Sequence, residues 1–289
     1  MNQSDIIEPE GRWLNVDGLN MHYMDWGKGN QPLIALHGAA SSCHWYDLTA
    51  PHLAKSFRVI ALDQRAHGKT DQPDTGYDWP TLAKDIVGAL DQLGISRAAV
   101  IGHSWGASVA LSLAALHPER ITALVMIDGG FSAGARSSTM TWEEYKSRLS
   151  PRDIYGPKER YLGALQRQFS HCWNHQLEHI VMTMVRSDPD GTVHERLNLS
   201  NQQQMLWAMW SDPTQKLMAR VECQSLLVAA EGHPNTRNPE YLQRRQSSVS
   251  ETLAQLKNSS SHWVRDSGHD IGYEQPEELA KVITNFLNN

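Results

Sequence analysis

The chain has 289 residues, 40% of them hydrophobic and 20% charged, with a formal net charge of −6 at pH 7. That length and balance fit a folded globular domain carrying an insertion and exclude a disordered chain. A mildly acidic chain has no bulk attraction for nucleic acid or anionic lipid, so neither is an expected partner.

The N-terminal residues lack the basic start and apolar run of a secretion signal. Arg12–Val16 and Leu19–Trp26, joined by Asp17-Gly18, predict an antiparallel hairpin at a sheet edge. Short apolar runs follow at 33–36, 59–62, 98–101, 123–127 and 226–230. They do not alternate with polar residues, which predicts strands buried on both faces of a parallel sheet. Leu82, Ile86, Leu90 and Leu93 line one face of a helix ended by Gly94. Leu279, Val282, Ile283, Phe286 and Leu287 do the same after Pro276. Strands alternating with helices predict an α/β fold with a doubly wound, mostly parallel sheet. The alternation lapses from about Phe131 to Val221, a stretch rich in large residues and without strand runs. We read 132–220 as an inserted helical cap and 1–131 with 221–289 as the core domain. The apolar-looking stretch 100–116 is broken by His103 and by Ser and Gly residues, so no membrane span is expected. Three scattered cysteines, Cys43, Cys172 and Cys223, give no disulfide framework and fit a reducing, cytoplasmic setting.

The stretch GHSWGAS at 102–108 follows one apolar run and opens a helix of small residues. In that strand–turn–helix context, Ser104 reads as a nucleophile presented on a sharp turn. Glycines on either side let strand and helix approach closely, and the helix N-terminus aims N–H groups at a reacting oxygen. A serine hydroxyl needs a base. Among 14 histidines, His269 is the candidate, because it lies in the loop after the expected last strand at 263–266. The oxyanion hole is assigned to the backbone N–H groups of Trp105 and Ala39, the latter in the loop His37-Gly38-Ala39-Ala40.

Five segments together resemble the α/β-hydrolase superfamily: LIALHGAASS (33–42), VIALDQRAHGKTDQP (59–73), VIGHSWGASVAL (100–111), LVMIDGGF (124–131) and SGHDIGYEQPEELAKVITNFL (267–287). The resemblance is greatest to the epoxide hydrolase and haloalkane dehalogenase branch, where a similar G-H-D-W-G turn carries an aspartate nucleophile. An aspartate attacking saturated carbon forms an ester, which water cleaves. A serine in the same attack would form an ether, which water does not readily cleave. Ser104 therefore points to acyl transfer, where an oxyanion hole holds the developing charge.

The resemblance implies a triad acid after the next-to-last strand, in a pattern like G-E-x-D-P. Here the run continues Glu231-Gly232-His233-Pro234, with histidine where aspartate is usual. Two carboxylates remain: Asp128, at a strand end that supplies the acid in some relatives, and Glu231. The DQRAHG arginine, Arg65, is read as a brace for loops.

In the cap, His171, His175 and His179 recur every fourth residue and would share one helix face. No motif supplies further ligands, so no metal and no cofactor are assigned. His44, Trp45, Trp142, Trp173, Trp207 and Trp210 are taken as substrate-binding candidates, implying a hydrophobic substrate. The expected function is hydrolysis of a carboxylic ester or lactone through an acyl-enzyme, by a monomer or homodimer. A C–C hydrolase of a ring-fission diketone would use the same residues. A slow-turnover ligand receptor on the same fold stays open.

Overall fold

The computed structural model describes residues 9–27, 29–131, 140–148, 154–235 and 237–289. Strands β1 (Glu10–Val16) and β2 (Leu19–Trp26) form the antiparallel hairpin. Its turn residues Asp17 and Gly18 have φ of 50° and 91°, the positive values that match the twist of a two-residue hairpin. Then come β3 (Pro32–Leu36), β4 (Arg58–Leu62), β5 (Ala98–His103), β6 (Ile121–Ile127), β10 (Gln224–Ala230) and β11 (Ser259–Val264). The sheet order is β1-β2-β4-β3-β5-β6-β10-β11. β2 runs antiparallel to β4, and every later pairing is parallel.

The unbroken apolar runs have a direct cause. Ile34, Leu36, Ile60 and Leu62 face one hydrophobic cluster, and Leu33, Ala35, Val59 and Ala61 face the other. Helices cover both faces. Trp79–Gln92 is capped by Asp78, whose side chain accepts from the Thr81 N–H, and buries Leu82, Ile86 and Leu90. Trp105–Leu116 is buried up to Ala115, and its alanines and Gly106 let it lie close on the sheet. Pro276–Leu287 buries Leu279, Ala280, Val282 and Ile283. Among the described residues no helix is long and apolar enough to cross a membrane.

The chain between β6 and β10 departs from the all-helical reading. It holds helices Trp142–Arg148, Lys158–Gln168, His175–Met182 and Leu199–Ser211. It also holds a separate antiparallel sheet of β7 (Tyr155–Pro157), β8 (Val185–Ser187) and β9 (Thr192–Glu195), in the order β7-β9-β8. These strands have three or four residues, too few for a period to register. The local clue was Asp190-Gly191, a turn pair with Gly191 at φ 86°. The histidine stripe is also broken. Asn174 caps a helix that starts at His175, its side chain accepting from the Leu177 N–H, so His171 lies in the turn before it.

Candidate active site

Ser104 sits between β5 and the helix Trp105–Leu116 with φ 54° and ψ −119°, a conformation a side chain rarely tolerates. Neighbours hold it there. The Ser104 N–H donates to the Ile127 carbonyl at 2.9 Å, and the Ala107 N–H donates to the Ser104 carbonyl at 3.1 Å. The flanking glycines are required by contact. A Cβ on Gly102 would stand 2.2 Å from the Gly106 carbonyl oxygen, and one on Gly106 would stand 2.4 Å from the Leu36 and His37 oxygens. Strand, turn and helix thus press backbone on backbone, and the serine projects from the crossing.

The structure brings Ser104, His269 and Asp128 into one chain of hydrogen bonds. His269 Nε2 lies 2.9 Å from Ser104 Oγ, and His269 Nδ1 lies 2.7 Å from Asp128 Oδ2. Asp128 ends β6 at φ 46° and is 7% exposed. Its N–H donates to the Val228 carbonyl at 2.8 Å, and its Oδ1 accepts from the Ala230 N–H at 2.8 Å. Arg245, from the helix Pro239–Gln255, donates to the same Oδ1. An ionised carboxylate only accepts, so Nδ1 carries the imidazole hydrogen and Nε2 keeps a lone pair facing the serine hydroxyl.

The electrostatics match that tautomer. Burial opposes ionisation of Asp128, but the His269 hydrogen bond and the Arg245 charge outweigh it and hold its pKa below the ordinary value. Burial likewise disfavours a charged His269. The Asp128 hydrogen bond and charge prevail and raise the His269 pKa above 6.5. His103 is the opposite case. Burial, and then the neighbouring His269, push it well below 6.5. Neutral His103 stacks on Trp45 at 4.1 Å, and its Nε2–H donates to the His269 carbonyl at 3.0 Å, bracing the loop that carries His269.

Glu231, the alternative acid, is ion-paired with Arg237 instead of the imidazole. His233 turns toward Glu274, its Nε2 3.3 Å from Oε2. The amide of Trp105 opens its helix and has no acceptor within it. The Trp105 ring is buried and stacks on His67, leaving only backbone for the site. Ala39 lines the cavity beside Ser104. Its loop is held by His37, whose Nε2 accepts from the Gln64 N–H at 3.2 Å and whose Nδ1–H donates to the Gly38 carbonyl at 2.7 Å.

A cavity of about 430 Å³ opens over Ser104 and His269, lined by Trp45, Tyr161, Leu165, Phe169, Met184 and Tyr273 among others; among the described residues none that lines it is a lysine or arginine. Trp45 is therefore at the cavity, its indole N–H donating to Asp270 Oδ1 at 3.0 Å. The other aromatic candidates are elsewhere. His44 bonds Asp47, with Nδ1 2.9 Å from Oδ2. Trp173 packs against the sheet-side core. Trp142, Trp207 and Trp210 pack on one another, with centroids 5.1 to 5.8 Å apart, and Trp210 donates to the Met140 carbonyl. Helical rings meet their own neighbours first, which composition does not reveal. Sequence reading also passed over Tyr161, Phe169 and Tyr273. Arg245, on the helix Pro239–Gln255, carries no local signal either. It meets Asp128 across 117 residues of chain, and no local pattern marks such a pairing.

The sequence profile of the alpha/beta hydrolase fold matches residues 31–221. The chain is 40% identical over 122 residues to a soluble epoxide hydrolase of Corynebacterium sp. (strain C12), covering 41% of this chain and 42% of the relative. It is 38% identical over 120 residues to a non-heme chloroperoxidase of Streptomyces lividans, covering 40% of this chain and 44% of that one. The chain thus spans less than half the length of these curated relatives. The solved structure of E-2-(acetamidomethylene)succinate hydrolase superposes with a TM-score of 0.81 at 20% identity, over 98% of this chain and all of that one. A serine hydrolase involved in carbazole degradation superposes with a TM-score of 0.69 at 18% identity, over 97% and 99%. At such identities the likeness is one of fold.

Proposed function

The chain belongs to the α/β-hydrolase superfamily, and we propose that it is a serine hydrolase cleaving a carboxylic ester or lactone of a neutral, hydrophobic small molecule. The observation that carries this is the Ser104–His269–Asp128 hydrogen-bond chain facing a cavity whose lining, among the described residues, holds no cationic side chain.

Ser104 Oγ attacks the substrate carbonyl while His269 Nε2 takes its proton. The imidazolium is stabilised by Asp128, which is already ionised. The oxyanion turns toward the Trp105 and Ala39 N–H groups. His269 then gives its proton to the leaving alkoxide. Water, activated by the same nitrogen, attacks the acyl-enzyme and frees the acid and Ser104.

The serine itself argues against the epoxide chemistry named for the Corynebacterium relative. Opening an epoxide with Ser104 would leave an ether that this machinery does not hydrolyse. The cavity supports the substrate class, because its aromatic and aliphatic walls favour a neutral group and the Asp270 carboxylate at its edge disfavours an anionic one.

The test is turnover of p-nitrophenyl butyrate, with mass-spectrometric detection of a fluorophosphonate adduct on Ser104. Rapid turnover and labelling, both lost in Ser104→Ala, are expected. Turnover of a ring-fission diketone but no ester would move the reaction to C–C cleavage. Tight ligand binding without turnover of any acyl substrate would make the protein a receptor.

A further inference from the structure

The broken histidine stripe leaves His171 in a different company. It stands on the insert, facing His233 from the loop after β10 and Glu274 from the short helix Ile271–Glu274. His171 Nε2 is 3.7 Å from Glu274 Oε1, and His233 Nε2 is 3.3 Å from Glu274 Oε2. The two imidazole rings meet edge to face at 4.9 Å. One ligand atom from each of the three residues lies within 4.8 Å of the other two.

We propose that His171, His233 and Glu274 bind a divalent transition-metal ion of the zinc class, which ties the insert to the sheet domain beside the loop carrying His269. Zinc–nitrogen and zinc–oxygen bonds of about 2.0–2.2 Å put tetrahedral ligands roughly 3.4 Å apart. His233 Nε2 stands 3.3 Å from one oxygen of Glu274 and His171 Nε2 3.7 Å from the other, and with one ligand atom per residue the triangle closes to within 4.8 Å, so a modest rotation of the 45% exposed His171 side chain would bring the three to that spacing. Two imidazoles and one carboxylate select zinc, nickel, cobalt or copper over calcium and magnesium, which prefer oxygen. Three protein ligands leave a fourth position for water.

The acidic ligand is oriented from behind. Glu274 is 5% exposed in its side chain, and its Oε2 accepts from the Gly268 N–H at 2.7 Å and the Ser267 hydroxyl at 3.1 Å. Such outer contacts fix the direction of a ligating carboxylate. They also join the site to the catalytic loop, because Gly268 precedes His269. Gly268 itself is pressed on the cluster. A Cβ there would lie 2.8 Å from Glu274 Oε1 and 3.1 Å from His233 Nε2. The partly exposed histidines give an ion a route from solvent. The site uses none of the triad residues, so it stands apart from the hydrolase reading.

The test uses the chelator-treated full chain and Zn²⁺ alone, by titration calorimetry. One ion per chain is expected, with affinity falling at least about tenfold in His171→Ala and in His233→Ala. Cys172→Ser, adjacent in sequence but outside the triangle, keeps wild-type affinity. Zn²⁺ raises the melting temperature of wild type more than that of the double variant, since an ion bound only to the folded state stabilises it. Substituted Co²⁺ gives the absorption bands of a tetrahedral site, absent in the double variant. Circular dichroism establishes that each variant folds. Equal Zn²⁺ binding by wild type and the folded double variant, or no binding by either, overturns the proposal.

Discussion

Replacing Asp128 by Asn keeps the shape of the side chain and removes one charge. The surroundings dictate how the amide sits. Ala230 N–H and Arg245 both donate to the Oδ1 position, so the Asn oxygen takes that place and its NH₂ group faces His269. An NH₂ group donates, so Nδ1 of His269 must accept, and the ring proton moves to Nε2. Nε2 then points a hydrogen at Ser104 Oγ across 2.9 Å and cannot take the hydroxyl proton. The base is present in the wrong tautomer. A triad with that defect loses on the order of 10³–10⁴ in kcat, about 4–5 kcal/mol of transition-state stabilisation. The assay is p-nitrophenyl butyrate hydrolysis under saturating substrate, with urea unfolding alongside. KM stays within a few-fold and the protein remains folded. Glu231→Gln, by contrast, removes a carboxylate already engaged with Arg237 and leaves kcat near wild type. A variant Asp128→Asn with more than a tenth of wild-type kcat, or a crippled Glu231→Gln, would refute the reasoning.

The kcat/KM profile has an acid limb above pH 6.5, because His269 must be neutral to act and Asp128 raises its pKa. Arg245→Met moves that limb to higher pH, since the Arg245 charge opposes protonation of His269; an unmoved or lowered limb contradicts the pairing. The same change destabilises the fold by about 1–3 kcal/mol in urea unfolding at neutral pH, by leaving part of a buried carboxylate unpartnered. Asp128 titrates below its ordinary value in the folded chain, so its contribution is present above that value and is lost as pH falls through the folded pKa. Phe169→Ala raises KM for a butyrate ester, whereas Trp207→Ala, at a position 48% exposed and away from the cavity, leaves KM and kcat unchanged. Gly106→Ala fails to give folded protein by circular dichroism, because its Cβ would lie 2.4 Å from two carbonyl oxygens.

The features legible in the sequence are those made by residues close together in the chain. The hairpin at Asp17-Gly18 is set by backbone conformations of two adjacent residues, and the doubly buried strands announce themselves by unbroken apolar runs. The Ser104 turn is local too: its glycines are four residues apart and its strand and helix adjoin it. His269 could be found because it lies in the loop after the strand expected last in the chain. The acid could not be chosen this way. Asp128 and Glu231 both end buried strands, and what separates them is the partner each meets. Glu231 finds Arg237 six residues away, while Asp128 meets the imidazole 141 residues away. The insert was least legible for the same reason. Its strands are too short to carry a period, three of its four tryptophans pack on one another, and Tyr161 and Phe169, which reach the cavity, carry no mark to distinguish them. The hairpin, the doubly buried strands and the turn at Ser104 depend on neighbours in sequence, and the chain alone determined them. The choice among competing charges and rings is a property of neighbours in space, and only the folded structure decided it.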